Sequence, residues 1–218
     1  MWEPGEAGAT VQCPNFTPYH SDGYPADELK AALAAGSHPN LVSVMAKVVN
    51  GPLACVFPLI PREFRALGMP PSFETISRDV FPPSTSFSLS FAINVLKGIV
   101  SALCHLHSQG IMHGDLYAHN ILVNDDGQAL LVDFGAAAVI ARENSFATHA
   151  GSLEARAFGC LIEDLTQRVA DNEARRSIQL RRLQQLQSRC LDDFPPRRPL
   201  ITEIRDEIND IIVKADGV

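Results

Sequence analysis

The chain has 218 residues and a mass of 23.7 kDa, enough for one ordinary domain or two small lobes. Hydrophobic residues make up 46% and charged residues 20%, a globular usage that excludes wholesale disorder. Lys plus Arg number 18 against 25 Asp plus Glu, and the net charge of −7 argues against a nucleic-acid or anionic-membrane partner.

The acidic start, Met1-Trp2-Glu3-Pro4-Gly5-Glu6, holds no apolar signal-peptide stretch. Residues 1–25, with four prolines and three glycines, read as an irregular N-terminal segment. Ala26 to Ala35 reads as a helix of good formers, stopped by Gly36 and Pro39. Two apolar runs follow, Leu41–Val49 and Leu53–Ile60, and Asn50-Gly51-Pro52 between them is a hairpin signal. Leu53–Ile60 is the longest uninterrupted apolar run, far short of a membrane span, so none is expected. Residues 61–88 are broken by prolines and read as a long irregular insertion.

From Leu89 the apolar residues Phe91, Val95, Leu96, Ile99, Val100, Leu103 and Leu106 recur at helical spacing, predicting one long buried helix that ends near Gly110. Ile121–Val123 and Ala129–Val132 then read as strands joined by the turn Asn124-Asp125-Asp126-Gly127. After Leu153 the chain reads as helical to its end, with a break at Phe194-Pro195-Pro196. Seven arginines between Arg175 and Arg198 face only Asp192 and Asp193 within that stretch, which predicts a solvated basic helix face. Cys13, Cys55, Cys104, Cys160 and Cys190 are odd in number and widely spread. They read as buried thiols of a reducing, cytoplasmic compartment and not as a disulfide framework or zinc site.

The chemistry concentrates between the long helix and the strand pair, in His113-Gly114-Asp115-Leu116-Tyr117-Ala118-His119-Asn120. Thirteen residues beyond Asn120 comes Asp133-Phe134-Gly135. An aspartate on the loop after a buried helix, an asparagine five residues on and a second aspartate ending the hairpin can converge at one mouth. Asp and Asn oxygens are the hard ligands that Mg²⁺ prefers, with its other positions left to phosphate oxygens and water. The remaining aspartate is then free to accept a hydroxyl proton.

These segments resemble the catalytic loop, H-R-D-L-x-x-x-N, and the D-F-G motif of the protein-kinase superfamily. The resemblance implies Asp115 as catalytic base, Asn120 and Asp133 as Mg²⁺ holders, and His113 with Phe134 packed behind them. Ser37-His38-Pro39-Asn40-Leu41-Val42 is similar to the entry of the family's fourth strand, and Glu28 falls where the small-lobe helix carries its lysine-pairing glutamate. Leu53–Ile60 resembles the fifth strand and hinge. That makes Phe57 the gatekeeper, and Pro58, Ile60 and Leu122, with Asp133, contacts for ATP. The segment from Leu103 to His113 resembles the family's helix before the catalytic loop, and Cys190-Leu191-Asp192 to Arg198-Pro199 a late helical-lobe motif. Ala155–Leu161 resembles a central large-lobe helix, with Glu154 in place of its usual aspartate. The implied architecture is α+β: a protein-kinase-like two-lobe fold with a truncated N-lobe at 26–60 and a mainly helical C-lobe at 61–218.

The departures bear on activity. No glycine-rich phosphate lid is present, since Gly5-Glu6-Ala7-Gly8 lacks the spacing, and no lysine precedes Glu28 to grip the α- and β-phosphates. Either the chain starts after the first three strands or it is a degenerate kinase. Gly114 stands in place of the arginine of H-R-D, Tyr117 where serine/threonine kinases carry lysine, and the stretch Gly135–Glu154 is short. Three readings follow. The first is an ATP- and Mg²⁺-dependent phosphotransferase acting on a protein hydroxyl. The second is a pseudokinase serving as an interaction module. The third is a small-molecule kinase, because H-G-D-x-x-x-x-N also resembles aminoglycoside-phosphotransferase loops. The oligomeric state is open.

Overall fold

The computed structural model describes residues 9–12, 25–48, 55–75, 78–140, 145–170 and 177–213. Helix α1 (Pro25–Ala35) opens on a proline, which suits a first helical turn, and places Asp27 and Glu28 there, where carboxylates oppose the helix dipole. It buries Leu29, Ala31, Ala32 and Ala35.

A three-stranded antiparallel sheet lies beside it, built from β1 (Ala9–Gln12), β2 (Ala46–Lys47) and β3 (Cys55–Pro58) in the order β1-β3-β2. The two apolar runs do pair, Ala46 with Val56 and Lys47 with Cys55, while the turn Asn50-Gly51-Pro52 lies outside the described residues. Strand β1 corrects the expectation that residues 1–25 are irregular throughout. Its four residues run opposite β3, with Thr10 across from Phe57 and Gln12 across from Cys55. A four-residue strand flanked by proline and glycine carries too little local pattern to read, and its cause is the open edge of a partner more than forty residues away.

The second layer hangs on α2 (Leu89–Ser108). Ser88 caps it by accepting the Phe91 amide at 3.1 Å. Val95, Leu96, Ile99, Leu103 and Leu106 form its buried stripe, each at most 1% exposed. By length and mean hydropathy α2 would pass as a membrane span, which a search for uninterrupted apolar runs misses. Yet 56% of that window is buried inside the protein, as in a core helix.

Strand β4 (Arg65–Ala66) joins β6 (Ile121–Val123) and β7 (Ala129–Leu131) in a second sheet, and β5 (Ile111–Met112) pairs with β8 (Ala138–Val139). The insertion 61–88 is thus tied to the fold by β4 and by a bridge between Phe87 and Val169, while a bridge between Met69 and Val80 closes it on itself. Helices α3 (Ser145–Thr166), α4 (Ile178–Cys190) and α5 (Ile201–Val213) complete the large lobe. The arginines of α4 are not a purely solvated face: Arg182 meets Asp210 at 2.6 Å and Arg189 meets Glu207 at 2.5 Å, both on α5.

The small sheet joins the large lobe through the segment after α1. Leu131 donates its amide to Asn40 O at 2.8 Å, and Val42 donates to Leu131 O at 3.1 Å. His38 stacks on His105 of α2 with ring centroids 5.0 Å apart. This seam fixes α1 and β3 over the hairpin β6–β7.

Candidate active site

The loop after β5 is anchored at its first two residues. Glu154 of α3, 2% exposed, accepts the His113 amide at 2.5 Å and the Gly114 amide at 3.1 Å through Oε1, while Oε2 meets the His107 ring. The His113 ring is fully buried. Its Nε2–H donates to Val132 O at 3.0 Å and its Nδ1 accepts the Asp115 amide at 3.4 Å, which defines a neutral tautomer. Burial holds its pKa below the ordinary 6.5. Gly114 has φ +82, and a Cβ there would lie 2.4 Å from the Ala136 carbonyl oxygen. No side chain fits at 114 while the segment after Asp133 packs this close, which accounts for glycine where the kinase motif has arginine.

Beyond it, a 3₁₀ turn (Ala118–Asn120) brings Asn120 back under the loop. Asn120 is 5% exposed and uses Nδ2 on the backbone oxygen of Asp115 at 3.1 Å and on its Oδ2 at 2.8 Å. The Asn120 carbonyl in turn accepts the Val132 amide at 3.0 Å. Val132 is therefore pinned from both ends of the loop, and Asp133 follows it directly. Asp133 has φ 66, and it alone among the non-glycine residues described takes a positive φ. Such a conformation costs on the order of 1–3 kcal/mol and gathers at functional sites. Its Oδ1 accepts the Gly135 amide at 2.8 Å, the Asx contact that makes aspartate tolerable here. Both Asp115 and Asp133 lie near enough to raise the His113 pKa against the larger effect of burial.

The donor set suits a hard divalent cation. Asn120 Oδ1, Asp133 Oδ2 and the second oxygen of Asp115 accept no hydrogen bond from a described residue, so each retains lone pairs. A cleft of about 480 Å³ is lined by Glu28, Val42, Phe57, Leu122, Val132 and Asp133, among others, so that Asp133 of this donor set borders it. All five residues expected to contact ATP (Phe57, Pro58, Ile60, Leu122 and Asp133) line this single cleft. Glu28, from α1, joins them; burial and then Glu28 raise the thiol pKa of Cys55, while Lys47 lowers it.

On the other side of the loop lies a second cavity of about 450 Å³, bordered by Gly114, Leu116, Tyr117, Arg156 and Asp164. Burial, then Asp115 and Asp79, push the Tyr117 phenol upward, so it stays protonated. Two residues here escaped the sequence reading, Arg78 and Asp79. They sit in the proline-broken insertion with no spacing to announce them, and only the closure of that loop brings them to α3 and the 3₁₀ turn. Four histidines close in sequence take separate partners: His105 bonds Ala35 O, His107 Glu154, His113 Val132 O and His119 Asp79. Among the described cysteines, Cys55 and Cys190 are buried and Cys104 and Cys160 partly so; all four are free thiols.

A two-lobed α+β fold with an Asp–Asn loop facing a strained Asp-Phe-Gly turn is the architecture of a phosphotransferase of the kinase type. The family model described as protein kinase domain matches residues 28–171. The chain belongs to the protein kinase family. It is 33% identical over 108 residues to a probable serine/threonine-protein kinase of Dictyostelium discoideum, covering 50% of this chain and 15% of that one. It is 29% identical over 110 residues to cyclin-dependent kinase 11.1 of Caenorhabditis elegans, covering 50% and 14%. With the serine/threonine-protein kinase Tao of Drosophila melanogaster it shares 49% over 52 residues, 24% of this chain and 5% of that protein. The chain thus spans only a small part of the length of these relatives.

Proposed function

We propose that the protein transfers the γ-phosphate of ATP to a protein hydroxyl, with Mg²⁺ held by Asn120 and Asp133. The observation that carries this reading is the Asp115–Asn120–Val132 linkage, which ties the loop to Val132 and Asp133 on the lining of the cleft. Phe57, Pro58, Ile60 and Leu122 supply apolar and backbone contacts suited to a flat base. Bound Mg²⁺ would neutralise phosphate charge, as it does across the family. Asp115 orients the acceptor hydroxyl and takes its proton, its carboxylate being steadied by the Asn120 amide.

One observation favours the second reading, an interaction module without turnover. Strand β1 is the neighbour of β3 in the sheet, and its four residues, Ala-Thr-Val-Gln, include no lysine. The two readings separate in a transfer assay with γ-labelled ATP and a mixed protein substrate. The phosphotransferase reading expects Mg²⁺-dependent labelling that falls about 100-fold or more in Asp115→Asn, the scale of a lost general base, with ATP affinity kept. Equal labelling by both proteins removes Asp115 as base, and Mg·ATP binding with no labelling by either favours the module.

A further inference from the structure

Asp79 is the one carboxylate from the insertion that reaches the catalytic loop. It is 7% exposed, and each of its oxygens is engaged. Oδ2 accepts the Ala118 amide, and Oδ1 meets His119 Nδ1 at 2.6 Å. Ala118 and His119 are the first two residues of the 3₁₀ turn whose third is Asn120. An amide at the start of such a turn has no partner within it, so the carboxylate fills the role of a cap.

Asp79 is itself held from two directions. The Met69–Val80 bridge closes the loop that carries it, with amide–carbonyl bonds of 2.9 and 3.0 Å. Next to it, Arg78 locks onto α3 through Glu163 at 2.5 Å and Asp164 at 2.8 Å. On the same loop, Leu67 donates to Ile121 O at 2.8 Å, just after Asn120. The insertion thus grips the turn on both sides of Asn120.

We propose that Asp79 is a positioning residue that sets Asn120 for its metal, acting through the Ala118 amide and the His119 ring. The inference rests on the phosphotransferase reading, in which Asn120 Oδ1 faces Mg²⁺. Partners behind metal ligands commonly change metal affinity by about 10–100-fold when removed.

The test is ATP binding by calorimetry across a MgCl₂ series, in the wild type, Asp79→Ala and Asp79→Asn. Asp79→Asn keeps an oxygen for the Ala118 amide and offers an N–H to His119 Nδ1 in its other tautomer, so it should behave as wild type. Asp79→Ala should need at least about tenfold more Mg²⁺ for half-maximal ATP binding, with metal-free ATP affinity unchanged. If Asp79→Ala does not fold, His119→Ala replaces it and should shift the Mg²⁺ requirement in the same direction. Equal loss of metal-free and Mg²⁺-dependent binding, failure of Asp79→Asn to retain the wild-type requirement, or an unchanged requirement in the alanine variant overturns the inference alone. A wild type whose ATP binding ignores Mg²⁺ overturns the phosphotransferase reading first, and this inference with it.

Discussion

His113 shows how one side chain couples the loop to the fold. Its neutral ring donates to one backbone group and accepts from another, so a proton on Nδ1 would break the contact to the Asp115 amide. Burial lowers its pKa below 6.5, and burial with His105 lowers that of His38 in the same sense. Near pH 6 the unfolded rings therefore bind more protons than the folded ones, and stability rises with pH through that range. The carboxyl of Asp164 is raised above 3.8 by burial and acts with the opposite sign, one group set against two histidines. Thermal unfolding followed from pH 8 to pH 5 should show a flat midpoint above about pH 7.5 and a falling one below about 6.5. A flat profile throughout, or a His113 ring that NMR finds titrating at or above 6.5, contradicts the neutral tautomer. Of the residues at the site, Asp115, Asn120 and Asp133 were legible because their spacing is a motif. Asp79 was not, because a single aspartate among prolines has meaning only once two distant segments meet.

Helix α3 is the element on which the large lobe packs, and its contact with α4 passes over Gly159. A Cβ there would lie 2.7 Å from Cys190 Cβ and 3.0 Å from a Leu191 methyl, both at the end of α4. Gly151, on the same helix, has nothing within 4 Å of such an atom. Gly159→Ala should therefore destabilise by about 1–3 kcal/mol through overpacking. Gly151→Ala should stabilise by up to about 1 kcal/mol through helix propensity. Urea unfolding of the two variants checks this, and equal midpoints would remove the close helix approach. The elements differ in legibility for physical reasons. Helix α2 and the β6–β7 hairpin carry strong periodicity and a clear turn, and both form as read. The start of α3 was expected near Leu153 and lies at Ser145. Its first turns, Ser-Phe-Ala-Thr-His-Ala-Gly-Ser, set two alanines among six weaker helix formers, glycine included, and there the tertiary fold overrides propensity.

Across the whole molecule, one seam decides how the lobes serve the site. Asn40 and Val42 bond to Leu131 on the hairpin that ends at Asp133, and β3 leads directly into Pro58 and Ile60 on the opposite wall. The cleft is therefore lined from both lobes, and Val132 on its lining is bonded to the loop that Glu154 and Asp79 hold. The fold class was readable through the kinase-like motifs, with the order of long helix, hairpin and helices in keeping with it. The third strand of the small sheet was not, nor was the role of the insertion, because both depend on pairing across long sequence separations. The most direct measurement of the central claim is the calorimetric affinity of ATP with and without MgCl₂ for the wild type and for Asp133→Ala. The account predicts that Mg²⁺ tightens ATP binding to the wild type and has no such effect on a folded Asp133→Ala. Mg²⁺ enhancement of equal size in both proteins would contradict it.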